Sequence, residues 1–68
     1  MILTAVLTPA SEGGFVALNP ETGSTTQGET IEEALANLKE ATSLFLEEFP
    51  DARSGVALMT SFEVSSRA

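Results

Sequence analysis

The stretch from Gln27 to Phe49, QGETIEEALANLKEATSLFLEEF, constrains the fold more than any other part of the chain. Thr30 is a favourable helix N-cap, and Glu33 three residues later completes a capping box. From Ile31 the apolar residues Ala34, Leu35, Leu38, Ala41, Phe45, Leu46 and Phe49 follow at helical spacing. At about 100° per residue they share one broad stripe, and Leu44 alone projects to the polar side. No glycine or proline interrupts the run, and Pro50 disfavours helical geometry at Phe49, so the helix is expected to end there. Gly28 is expected to let the chain turn sharply into the cap.

The segments around this helix read as strands. Ile2 to Thr8 alternates, with Leu3, Ala5 and Leu7 on one face and Ile2, Thr4, Val6 and Thr8 on the other. Turn chemistry follows in Pro9 to Gly14, where Gly13 and Gly14 can take positive φ, and Phe15 to Asn19 reads as the return strand. A second turn, Asn19-Pro20-Glu21-Thr22-Gly23, leads to a short third strand over Ser24 to Gln27. Beyond the helix, Val56 to Val64 reads as a last strand with Val56, Leu58, Phe62 and Val64 on one face, and Ser65 to Ala68 as a polar tail. The order β-β-β-α-β predicts a small α+β domain, with a mostly antiparallel sheet carrying one helix on one face.

A chain of 68 residues is one domain, spanning 1–68, with no linker or repeat. Chains this short bury only about 60% of their unfolded surface, so the core needs reinforcement. Cysteine is absent and disulfides are excluded, which leaves oligomerisation or a bound partner as the staple. The apolar residues on both strand faces and the small core predict a homo-oligomer, a dimer or tetramer. Ten acidic residues against three basic ones give a formal charge of −7. Such a field repels phosphate backbones, so nucleic acid is not an expected direct partner; it either attracts a basic protein or serves solubility alone. No apolar run approaches the ~18 residues that span a bilayer, and no signal-peptide pattern opens the chain, so the expected location is the cytoplasm.

Candidate chemistry is sparse. Histidine is absent, Lys39 is expected on the helix surface, and no base stands ready to activate a serine or threonine. The pairs Glu32-Glu33 and Glu47-Glu48 diverge by about 100° on a helix and do not converge on one ion. Gly28-Glu29-Thr30 opens a helix, but Glu29 repels phosphate and no Walker-type lysine is present. The four phenylalanines all fall on apolar stripes and read as core. The expectation is a non-catalytic module with no cofactor and no metal.

Several short motifs in fixed order carry a resemblance. They are Glu12-Gly13-Gly14-Phe15-Val16-Ala17, Pro20-Glu21 with Gly23, Gln27-Gly28-Glu29-Thr30, Glu33-Ala34, and Asn37 through Glu40-Ala41. Together, over roughly Leu3 to Glu48, they resemble the N-terminal domain of HicB antitoxins. That resemblance implies a truncated ribonuclease-H-like fold without the first-strand aspartate an active enzyme would need. It also implies a prokaryotic role in a type II toxin–antitoxin system, binding and silencing a small basic HicA-type ribonuclease toxin. The turn at Pro20 to Gly23 is one residue shorter than the family pattern and lacks its second proline. HicB antitoxins commonly add a C-terminal DNA-binding domain, which these 68 residues do not contain, so autorepression is not carried over. Within this reading Glu32, Glu40 and Glu47 are the expected toxin-steering charges. An orphan oligomeric module with a scaffolding role is the alternative.

Overall fold

The computed structural model describes residues 1–52 and 55–65. Three strands, β1 (Val6–Pro9), β2 (Phe15–Asn19) and β3 (Ser24–Gly28), precede one helix, α1 (Ile31–Glu48). They form an antiparallel sheet in the order β1-β2-β3. Leu7 pairs with Ala17 in the first hairpin, and Ala17 pairs with Thr26 across the second. The α+β class, with one helix on one face of a small antiparallel sheet, is as the sequence predicts.

The helix starts where its cap chemistry directs. Thr30 is extended at φ −125° and ψ 165°, and its hydroxyl accepts from the Glu33 N–H at 3.1 Å. The Glu33 carboxylate reaches one residue beyond the cap and accepts from the Glu29 N–H at 2.7 Å. At the other end the Phe49 N–H still donates to the Phe45 carbonyl before Pro50 stops the spiral. Phe45 and Phe49 bring their rings to 5.1 Å there.

The buried hydrophobic core is Ala17, Ala34 and Leu38, with Ala5, Leu7 and Phe15 packed around it. Ala34 and Leu38 lie one turn apart on one helix face, as the periodicity requires, and Thr42 continues that buried line. Two side chains pin the helix to β3. Thr26 Oγ1 donates to the Ala34 carbonyl at 3.0 Å, and Asn37 Nδ2 donates to the Gln27 carbonyl at 2.8 Å. The helix therefore lies over β3 and β2 and barely reaches β1.

Gly28 is required by proximity rather than by a turn. A Cβ there would stand 2.3 Å from the Ala34 nitrogen, against helix backbone that cannot rotate aside. Gly14 combines both demands, with φ +76° and a would-be Cβ 2.6 Å from the Gly28 carbonyl oxygen.

Three sequence expectations need correction. β1 begins at Val6, not Ile2, because the backbone of Thr4 is bound by side chains instead of a neighbouring strand. No strand forms over Val56 to Val64, since that segment has no ladder partner among the described residues. Of the four phenylalanines only Phe15 and Phe45 are half-buried. Phe49 sits past the last helical turn and Phe62 on the unpaired segment, and both are exposed. Of the expected polar tail only Ser65 is described, and the remainder, 66–68, lies outside the described residues.

Candidate partner-binding surface

The three glutamates singled out from sequence are all exposed on α1. Glu40 and Glu47 are seven residues apart, which places them about 20° from each other around the axis and about 10 Å apart along it. Both point directly away from the line of Ala34, Leu38 and Thr42. Glu32 lies about 80° round from Glu40, one helical side nearer to Lys39. Glu40 and Glu47 thus make one acidic line, and Glu32 flanks it instead of joining it.

Dipole energetics separate these residues. Glu32 and Glu33 occupy the first turn, where a carboxylate complements the positive end of the helix. Glu47 and Glu48 occupy the last turn, where the macrodipole opposes them and which itself contains no basic residue. That placement costs the helix a few tenths of a kcal/mol, on the order of 0.3–1. Local stability gives no reason for it.

One further acidic residue has a different character, and the sequence reading missed it. Glu21 is only 4% exposed. Its Oε1 accepts from the Thr4 N–H at 2.8 Å and from Asn19 Nδ2 at 2.6 Å. Its Oε2 accepts from Thr4 Oγ1 at 2.6 Å and from the Ala57 N–H at 2.8 Å. Asn19, also buried, donates to the Thr4 carbonyl, while its Oδ1 accepts from the Thr22 N–H and hydroxyl. The Asn19–Thr22 bonds close a turn three residues on, and that turn is legible in Asn-Pro-Glu-Thr. The capture of Thr4 and Ala57 is not legible, because it joins residues 17 and 36 positions away.

With all four acceptor positions occupied, the Glu21 carboxylate is a structural clamp joining the entry to β1 with the segment after the helix. The hydroxyl of Thr4, followed by the N–H groups of Ala57 and Thr4, holds its pKa down at about 2, against an ordinary value of 4.5. A depressed pKa means this stabilisation is complete above about 4.5 and is lost as pH falls through about 2. Glu21→Gln is therefore expected to lower the melting temperature at neutral pH and to flatten the acid limb between those values. Thermal melts of both proteins across that range check it, and parallel acid limbs would remove Glu21 from this role.

Among the described residues no cluster of three or more metal-ligating side chains occurs, and no helix is long and apolar enough to cross a membrane.

Comparison with known proteins bears on this surface. The chain is 45% identical over 56 residues to UPF0150 protein ssl0738 of Synechocystis sp. (strain ATCC 27184 / PCC 6803 / Kazusa), covering 79% of this chain and 78% of that protein. The chain belongs to the UPF0150 family. The family name assigns no activity. No family profile matches the chain, and no solved structure matches it. For this UPF0150 protein, two features stand out as surfaces for contact: the acidic line on α1 and the apolar segment beyond the Glu21 clamp.

Proposed function

We propose that this UPF0150 protein is a HicB-like antitoxin that acts in the cytoplasm of a prokaryotic cell, neutralising a small basic HicA-type ribonuclease by direct binding and having no catalytic activity of its own. The observation that carries this reading is the acidic outer line of α1, Glu40 and Glu47 flanked by Glu32, on a chain of net charge −7. Glu47, the one carboxylate of this line set against the helix dipole, is explained by a cationic partner better than by fold stability. The ordered motifs from Glu12 to Ala41 that resemble HicB domains support the same assignment. A basic ribonuclease offers an RNA-binding face, and an acidic line of this kind competes for it.

A second reading, an orphan oligomeric scaffold, draws on the large apolar side chains left exposed. Affinity purification of the tagged full chain from its host, with mass spectrometry of what co-purifies, separates the two. Stoichiometric recovery of a small basic protein is the expected result. Recovery of this chain alone, as a stable oligomer, would favour the scaffold and contradict the antitoxin reading.

A further inference from the structure

The segment after the clamp is the least expected feature of the molecule. Leu58 is 97% exposed and Phe62 84% exposed, and Val56, Met59 and Val64 are exposed as well. The alternation of Val56, Leu58, Phe62 and Val64 is that of a half-buried strand, yet no described residue pairs with it and all four side chains are exposed. The radius of gyration is 13.9 Å, against about 11 Å for a compact chain of this length. The longest dimension is 48 Å, so the shape is far from compact. Soluble monomers rarely expose a contiguous apolar strip of this kind.

The same molecule has an unfilled apolar groove of about 350 Å³. It arises because α1 lies over β3 and β2 and leaves the helix-facing side of the first strand's approach uncovered. Leu3, Ala5, Leu35 and Leu46 are among its walls. Thr42, also in the wall, is buried with an Oγ1 that has no hydrogen-bond partner among the described residues. The groove's wall at Leu3 to Ala5 leads directly into β1, a sheet-edge strand with β2 as its one neighbour among the described residues. A strand added at that edge places its helix-facing side chains in the groove.

We propose that residues 56–64 of one copy add as a fourth strand along the β1 edge of a second copy, reciprocally, with Val56, Leu58, Phe62 and Val64 filling the partner's groove. Three observations favour a second copy as the occupant. The segment is held to its own domain at Ala57, but its side chains are absent from its own groove, and those beyond Ala57 are exposed. Its one charged side chain is Glu63, and the one charged side chain in the groove wall is Lys39, of opposite sign. In a chain of net charge −7 the segment is thus a tract on which two copies can meet without strong repulsion. The segment's five large apolar residues expose on the order of 600 Å², and reciprocal exchange brings both segments and both grooves into the ~1,200–2,000 Å² range of stable interfaces. The opposite sheet edge, β3, is built from Ser24, Thr25, Thr26 and Gln27 and offers no comparable apolar wall. This inference does not depend on the antitoxin reading.

Light scattering of the full chain at micromolar concentration tests it, beside the double variant Leu58→Asp/Phe62→Asp. The native chain is expected at twice 7.1 kDa, and the variant at a single chain mass with its helical circular dichroism retained. A monomeric native chain would overturn the proposal, as would a variant that remains dimeric. A second measurement needs no substitution and so guards against a variant that fails to fold. In a mixture of isotope-labelled and unlabelled native protein, filtered NOEs are expected between the Phe62 ring and the methyl groups of Leu3 or Leu46 across copies. Their absence between copies, including the case where the segment folds back into its own groove, would refute the exchange.

Discussion

Gly28→Ala is expected to cost about 1–3 kcal/mol, the range for forcing extra volume into a packed site. It is expected at the upper end, because the added Cβ would stand 2.3 Å from the Ala34 nitrogen and 2.8 Å from the Ala34 Cα. Both atoms belong to helix backbone, and only movement of the whole helix away from β3 relieves the clash. That movement would loosen the Thr26–Ala34 and Asn37–Gln27 bonds that hold α1 on the sheet. A domain of this size has roughly 3–10 kcal/mol of total stability, so the loss is a large fraction of it. The melting temperature followed by circular dichroism is expected to fall on the order of 10–20 °C. A change within a degree or two would mean that the helix can shift without cost and that the close approach is not needed.

The triple variant Glu32→Lys/Glu40→Lys/Glu47→Lys is expected to slow association with a basic ribonuclease toxin on the order of 10–100-fold at low ionic strength. Each reversal changes the charge by two, so the variant carries −1 in place of −7. The fold should tolerate the change. A lysine at position 32 opposes the dipole in the first turn, whereas a lysine at position 47 complements it in the last, and the two effects largely cancel. The difference in rate should shrink as salt is raised, because a Debye length of about 10 Å at 0.1 M screens exposed charges. Stopped-flow or surface-based kinetics at two salt concentrations read this directly. Equal association rates at low salt would remove these glutamates from the interface.

The helix was legible because its signals are local. Thr30, Glu33, the apolar spacing and Pro50 all act within a few residues, and α1 runs from Ile31 to Glu48 in agreement with them. The same holds for β2 and β3, where turn residues bracket an apolar run and a threonine-rich one. What escaped the sequence depends on distant partners. Thr4 belongs to a strand by pattern but gives its N–H and hydroxyl to Glu21, a residue that composition alone would place at the surface. Residues 56–64 have the alternation of a strand, yet a strand needs a neighbour, and this one finds none among the described residues. By its neighbours Gly28 reads as a turn residue, but its use is the close passage of helix over sheet. For the candidate surface, the exposure of Glu32, Glu40 and Glu47 followed from helical periodicity. That Glu40 and Glu47 align while Glu32 stands aside follows from the same geometry.

The decisive measurement is RNA cleavage by a purified HicA-type ribonuclease as this chain is titrated in. Antitoxin function predicts that cleavage stops near one chain per toxin, and that the acidic-line variant needs more protein to reach the same inhibition at low salt. Undiminished cleavage at a large excess of the native chain, with no complex detectable by light scattering, would contradict it.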